Sequence, residues 1–160
     1  MIVLLLRFGL RAREVATLRL DDLDWRAGQV TVHGKGGRVD QLPLPVDVGE
    51  AIASYLRRGR PPEAMVREVF LRVRPPQVAL TRGGVTAIVA GAARRAGLGV
   101  VRAHRLRHTA ATDMLRSGVP LAEIGQVLRH RSPGSTAVYA RVDVERLRTI
   151  ARPWPRGAGS

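Results

Sequence analysis

The chain has 160 residues, about the length of one domain that can bury a real hydrophobic core. It carries 27 Lys and Arg residues against 13 Asp and Glu residues, and the net charge of +14 favours a polyanionic partner, with nucleic acid as the first candidate. The lack of cysteine excludes a disulfide framework and a thiolate metal site, and the apolar run from Ile2 to Leu6 is too short for a membrane span or signal peptide, so we expect a cytoplasmic protein.

The N-terminal part predicts helices that lead into a sheet. Residues 2–10 are apolar nearly all round and predict the second half of a buried helix that ends at Gly9. Because the chain starts inside this helix, we expect a domain that is truncated at its N-terminus. Residues 14–20 continue with helical spacing, and Asp21, Asp22 and Asp24 follow just before a predicted strand. Three close carboxylates allow a metal site, but helix caps and solvated turns are favoured in this position.

A hairpin is predicted next. Two runs of strand-like residues, 29–33 and 38–42, flank a glycine-rich turn over residues 34–37. Lys35 lies at its tip and is the only lysine among the 27 basic residues. Unlike a guanidinium, an ammonium can lose its proton when neighbours lower its pKa, so Lys35 is a candidate for proton transfer. A phosphate-binding P-loop is the alternative, but the earlier glycine and the following Ser or Thr of that motif are missing.

Helices dominate the middle of the chain. Residues 46–58 have helical spacing, with an apolar face that includes Val48 and Ile52. Residues 59–76 are rich in Pro and Arg, and we expect a flexible surface connection there, although it contains one short apolar piece at Val69 to Leu71. Thr81 is suited to cap a helix that runs from residue 82 to residue 96.

The C-terminal third contains the residues best suited to phosphate chemistry. His104, Arg107 and His108 are spaced i, i+3 and i+4, so they share one face of a predicted helix. His130 follows a second predicted helix, and Tyr139 comes nine positions later. Histidine, arginine and tyrosine together provide proton transfer, anion binding and a nucleophile.

Turn residues define the helices of this region. The first helix should end at Ser117-Gly118, and Pro120 should open the next helix, which runs through Leu128. Residues 132–135 have turn chemistry, and residues 136–142 predict a short helix that carries the tyrosine. A last helix is predicted over residues 143–151.

Five ordered motifs resemble the catalytic domain of tyrosine recombinases, the phage-integrase and Xer-like family. They are GLRAREVATL, HGKGGR, HRLRHTAAT, LRH and a tyrosine nine residues later, and the resemblance runs from about Ile2 to Ala151. It implies a mainly α fold with a small N-terminal three-stranded antiparallel β-sheet. It also implies a catalytic domain over residues 1–152 that lacks the N-terminal core-binding domain of the family, followed by a flexible tail over residues 153–160.

The resemblance implies a site-specific DNA recombinase or integrase. Such an enzyme cleaves and rejoins duplex DNA through a 3′-phosphotyrosine, without a metal or another cofactor. Double-stranded DNA is the expected partner, on which family members work as tetramers, and neither a membrane nor a small-molecule substrate is expected. Two alternatives stay open: a remnant that binds DNA but does not cleave it, and a topoisomerase-like enzyme that relaxes DNA.

The family's catalytic roles carry over to six positions. Two arginines would clamp the scissile phosphate, a lysine would protonate the leaving 5′ oxygen, one histidine would move the nucleophile's proton, a second would bond the phosphate, and a tyrosine would attack. In that order these are Arg11 and Arg107, Lys35, His104, His130 and Tyr139. Since the pKa of a phenol is about 10, attack near neutral pH needs a base or positive charge close by, which these residues supply.

Other interpretations exist for several of these residues. His104 and His108 have the spacing of a helical zinc site, but Arg105 replaces the glutamate of the HExxH motif, and His108 is expected to be structural. Taken alone, His130 would be a histidine at a helix end, and Tyr139 a half-buried core residue.

Further positions bear on this assignment. Tyr55, the only other tyrosine, is expected to pack in the core. Arg129 stands where the family commonly has glycine, and Arg105 stands where it often has an acidic or small residue.

The net positive charge of the chain has an alternative explanation, which is a GC-rich genome that favours arginine codons.

Overall fold

A computed structural model describes residues 1–129 of the chain. It divides into two compact units, Met1–Ala110 and a second that begins at Ala111. The predicted turn over 132–135, the helices over 136–142 and 143–151, and the tail over 153–160 lie outside the described residues. Within the described part, no helix combines the length and apolarity needed to cross a membrane.

The described residues form six α-helices, one short 3-10 helix and three β-strands. In chain order they are α1 (Ile2–Arg7), α2 (Ala12–Ala16), the 3-10 helix (Leu20–Asp22), β1 (Leu23–Asp24), β2 (Gln29–His33), β3 (Val39–Pro43), α3 (Val46–Arg58), α4 (Arg82–Arg95), α5 (Ala103–Arg116) and α6 (Leu121–Val127). The three strands form one antiparallel sheet in the order β1-β2-β3. This confirms the predicted fold class, mainly helical with a small three-stranded sheet.

The sheet alternates buried and exposed residues along β2. Val30 and Val32 are buried against the core, while Gln29 and His33 at the two ends are exposed. This alternation is expected of a strand with one face on the core. The β2–β3 pairing ends at His33, which lies opposite Val39, so residues 34–38 project beyond the sheet and carry Lys35.

The first unit is built around a single apolar core. Helix α2 packs against α4, and α1 contacts both α2 and α3. The core consists of the buried faces of these helices, the inner side of β2 and the start of α5, with fully buried side chains that include Leu4, Leu5, Leu10, Val15, Val48 and Val85. Along α3 and α4 the buried positions recur every four residues, as the sequence pattern predicted.

The predicted flexible connection over residues 59–76 is wrong for its central part. Val69, Phe70 and Leu71 are at most 4% exposed, and the first two belong to the core of the first unit. The Val69 N–H donates to the Leu18 carbonyl at 2.8 Å, and the Leu80 N–H donates to the Phe70 carbonyl at 2.9 Å. The sequence did not predict this packing, because the segment is rich in Pro and Arg and the backbone partner of Val69, Leu18, is distant in sequence.

Helix boundaries follow the capping chemistry of the sequence. The third helix has the predicted bounds, and Oγ1 of Thr81 caps α4 by accepting from the Gly84 N–H at 3.1 Å. The first helix runs to Arg7, and Phe8 is its C-cap residue. Gly9 then has φ +56°, in the left-handed region that ends helices, which agrees with the predicted end at this glycine.

The second unit is described from Ala111 to Arg129. Ala111, Ile124 and Leu128 form its buried cluster. Helix α5 ends at Arg116, just before Ser117 and Gly118 as predicted, and Pro120 is the N-cap residue of α6.

Candidate active site

Arg11 is held at the start of α2 by a buried carboxylate. Its backbone N–H donates to Oε2 of Glu14 at 2.8 Å, and its Nη1 donates to Oε1 of the same carboxylate at 2.8 Å. The Arg11 side chain is 40% exposed, whereas that of Glu14 is 3% exposed. Glu14 therefore fixes one edge of the guanidinium and leaves part of it accessible to an anion.

Sequence reasoning missed Glu14 as a residue of the site. Its signal was available, because Arg11 and Glu14 have the spacing of a capping box, in which an acidic side chain at the third helical position bonds the N-cap backbone. The sequence pattern gave Glu14 only a helical role. The structure adds the ion pair to the arginine side chain.

Arg107 connects helix α5 to the segment that carries Arg11. It is 5% exposed, and its Nη1 donates to the carbonyl oxygen of Gly9, which is 98 positions away in sequence. Gly9 lies two residues before Arg11 in the chain. The two predicted clamp arginines thus belong to one part of the first unit, and a phosphate can meet Arg107 over only a small part of its side chain.

His104 lies one turn before Arg107 on α5 and contacts His108. The Nε2 atoms of the two imidazoles are 2.5 Å apart, and the rings meet edge to face with centroids 4.1 Å apart. Burial, with the positive fields of His104 and Arg107, lowers the pKa of His108. A neutral His108 can exchange a hydrogen bond with His104 and so restrict the orientation of that ring.

The described residues contain no group of three or more potential His, Cys, Asp or Glu ligands that could hold a metal ion. Asp21, Asp22 and Asp24 have other partners. Asp22 accepts from the Arg19 N–H at 2.8 Å, and Asp24 accepts from the Ala27 N–H at 2.8 Å, which agrees with the predicted caps and turns. Asp21 forms an ion pair with Arg67, whose hydrogen bond lowers the pKa of that carboxyl.

Lys35 lies in the turn between β2 and β3. Gly36 and Gly37 follow it with φ of +81° and +75°, so the turn depends on backbone conformations that glycine adopts without strain. The Gly34 N–H donates to the Arg38 carbonyl at 2.7 Å and closes the base of the turn. The hairpin with a lysine at its tip is therefore present as predicted.

Residues 1–146 match the Phage integrase family. The chain belongs to the phage integrase family. It is 51% identical over 158 residues to the integrase/recombinase y4rA of Sinorhizobium fredii, and the match covers 97% of the chain and 38% of y4rA. The tyrosine recombinase XerC of Oceanobacillus iheyensis is 33% identical over 159 residues, which are 95% of the chain and 52% of XerC.

A solved structure of a site-specific recombinase has the same fold. The XerH site-specific recombinase, crystallised with its palindromic difH substrate as a post-cleavage complex, matches with a TM-score of 0.77 and 25% identity. The match covers 97% of this chain and 45% of the XerH chain. The chain thus spans about half the length of XerC and XerH, and 38% of the length of y4rA.

Two predicted site residues of this phage integrase family member, His130 and Tyr139, lie outside the described residues. The described part does include Arg129, which is buried and has φ +56°. Glycine adopts this left-handed conformation without the steric cost that other residues have there, so a glycine would fit the backbone at this position better than Arg129 does.

The other tyrosine of the chain has a structural environment. The hydroxyl of Tyr55 accepts a hydrogen bond from the Leu71 N–H at 3.2 Å, and its ring lies 5.2 Å from that of Phe70. A phenol that is packed against the core and bonded to the backbone is poorly placed to attack DNA, which agrees with the predicted packing role.

Proposed function

We propose that the domain over residues 1–152 is the catalytic domain of a site-specific recombinase that cleaves and rejoins duplex DNA through a 3′-phosphotyrosine. The observation that carries this proposal is the bond from Arg107 to the Gly9 carbonyl, two residues before Arg11, in a chain that belongs to the phage integrase family. No cofactor is required, because the phosphotyrosine conserves the energy of the phosphodiester bond.

The two arginines are proposed to bind the scissile phosphate. A planar guanidinium fits two phosphate oxygens at once, and its charge offsets the negative charge that develops in the transition state. The buried partners of the pair support this role, because Glu14 and the Gly9 carbonyl fix the donors before DNA arrives. Loss of one such donor lowers the rate by roughly 100- to 1,000-fold.

Proton transfer is proposed to use Lys35 and His104. The oxygen of Tyr139 attacks the phosphorus and loses its proton with help from His104, while His130 hydrogen-bonds the phosphate. The bond from phosphorus to the 5′ oxygen breaks, and Lys35 gives that oxygen a proton. Rejoining reverses these steps, with the 5′ hydroxyl as the attacking group.

Double-stranded DNA is the proposed substrate. The net charge of +14 supports a polyanionic partner, since Lys and Arg side chains that neutralise phosphates release condensed counterions. Action in the cytoplasm and assembly as a homo-tetramer on DNA are parts of the same proposal, as expected for a recombinase that exchanges strands between two duplexes.

A nicked suicide substrate tests the proposal. The unaltered protein should form a covalent adduct with DNA, and Tyr139→Phe should form none, because the nucleophilic oxygen is removed. Tyr55→Phe is the matched control and should form the adduct normally. An adduct from Tyr139→Phe would remove that residue from the role of nucleophile. Salt-sensitive DNA binding without any adduct would instead favour the cleavage-deficient remnant.

Two further measurements separate the roles and the alternatives. Lys35→Ala should recover cleavage on a substrate with a 5′-thiol leaving group, which leaves without an acid, and failure to recover would exclude Lys35 as the acid. Resolution of a four-way DNA junction would distinguish a recombinase from a topoisomerase-like enzyme.

A further inference from the structure

The base of the lysine hairpin is tied to the body of the first unit by a histidine and an aspartate. Nε2 of His33 lies 2.9 Å from Oδ1 of Asp22. The Asp22 side chain is 8% exposed, whereas the His33 side chain is 51% exposed. The contact thus joins a surface side chain of the hairpin to a nearly buried carboxylate.

Asp22 is a fixed anchor for this contact. Its second oxygen, Oδ2, accepts from the Arg19 N–H at 2.8 Å, and the next residue, Leu23, pairs with Val30 in the sheet. The Leu20 N–H, at the start of the same 3-10 helix, donates to the carbonyl of Arg67 at 2.8 Å. With both oxygens engaged and the backbone bonded on two sides, the carboxylate has little freedom to move.

His33 lies at the base of the turn that carries Lys35. It is the last residue of β2, opposite Val39, and it lies two residues before Lys35. Beyond it the chain runs through three glycines, two of which have positive φ. Because glycine restricts the backbone least, the last anchored side chain before the turn has a large influence on where the tip points.

We propose that His33 is a positioning residue for Lys35. Its hydrogen bond to Asp22 fixes the base of the hairpin, so that the ammonium at the tip is aimed at the 5′ oxygen of the leaving strand. The inference rests on the proposed role of Lys35 as the general acid. It assigns to His33 a role that it performs through the hairpin rather than at the reacting atoms.

The test compares leaving groups rather than overall activity. His33→Val removes the hydrogen bond and keeps a residue that favours strands, while His33→Gln keeps an N–H that can donate to Asp22. The matched control is Arg67→Gln, which breaks the neighbouring exposed ion pair to Asp21 and leaves the hairpin contact intact. Cleavage rates are measured on an ordinary phosphodiester and on the 5′-thiol substrate.

A displaced acid should slow only the reaction that needs an acid. On the ordinary substrate we expect His33→Val to lose about 10- to 100-fold in cleavage rate, because small misplacement of a catalytic group has effects of that order. On the 5′-thiol substrate the rate of His33→Val should return to within about threefold of the rate of the unaltered protein, because a thiol leaves without being protonated by a general acid. His33→Gln and Arg67→Gln should cleave both substrates almost normally.

Four results would overturn the inference. Equal losses for His33→Val on both substrates would indicate a general structural defect, and no loss on either would make the contact irrelevant to Lys35. If Lys35→Ala is rescued by the thiol and His33→Val is not, the acid assignment stands and only the positioning role fails. If Lys35→Ala itself is not rescued, the proposed acid is wrong, and the inference falls with it.

Discussion

Replacing Glu14 by glutamine should destabilise the protein by about 2 kcal/mol. Breaking a buried ion pair by removing one partner costs roughly 3–5 kcal/mol, and the 40% exposure of the Arg11 side chain reduces this value through solvent screening. The bond from the carboxylate to the Arg11 N–H adds the contribution of a helix cap, about 1 kcal/mol. A glutamine at position 14 can accept a hydrogen bond from only one of the two Arg11 donors, the backbone N–H or Nη1, and turns its own N–H toward the other.

Urea unfolding followed by circular dichroism measures this effect. Glu50→Gln is the control, because it removes one exposed carboxylate from the surface of α3 and should change the free energy of unfolding by no more than about 0.5 kcal/mol. The slopes with urea should agree among the variants, so that the midpoints report stability alone.

A double-mutant cycle with Arg11→Gln isolates the ion pair itself. Each single substitution leaves a charged partner behind, so the double variant should be more stable than the sum of the two losses predicts, by about 1–3 kcal/mol. If Glu14→Gln loses no more than Glu50→Gln, or if the two substitutions are additive, then the buried carboxylate does not hold the guanidinium.

The remaining predictions concern packing, pH and backbone conformation. Burial and adjacent positive charge lower the pKa of His108 below its usual 6.5. The contribution of the neutral imidazole to stability is therefore present above pH 6.5 and is lost as the pH falls through the lowered pKa. Thermal melting temperatures of His108→Gln should depend less on pH in this range than those of the unaltered protein. Gly83→Ala, within α4 and with no side-chain atom closer than 3.7 Å to the added methyl, should raise the free energy of unfolding by about 0.5–1 kcal/mol. Gly97→Ala, just after the same helix at φ +71°, should lower it by about 1 kcal/mol in the same urea assay. Tyr55→Phe should cost about 1 kcal/mol by calorimetry, because a buried backbone N–H loses its acceptor.

Local sequence patterns predicted most of the helices and the hairpin. The bounds of α3, the Thr81 cap of α4 and the glycine-rich turn around Lys35 all follow from chemistry within a few residues of each element. Predictions of this kind succeed because caps, turns and apolar spacing act locally. The family resemblance, which the match over residues 1–146 confirms, supplied the connection between the motifs.

Contacts between distant segments were the part that the sequence did not reveal. The apolar piece at Val69 to Leu71 was assigned to a flexible connection because the partner of its backbone, Leu18, is about fifty positions earlier. The bond between His33 and Asp22 likewise depends on how the 3-10 helix packs beside the end of a strand. The residues of each pair, Leu18 with Val69 and Asp22 with His33, lie too far apart in sequence to meet within one helix or strand.

The bond between Arg107 and the Gly9 carbonyl can form only late in the synthesis of the protein. Ribosomes synthesise the chain from its N-terminus, so the first clamp arginine leaves the ribosome long before helix α5 exists. A nascent chain that ends before α5 has one half of the proposed phosphate clamp and cannot hold a scissile phosphate between two guanidiniums. The proposed phosphate clamp is therefore complete only after nearly all of the first unit has been made.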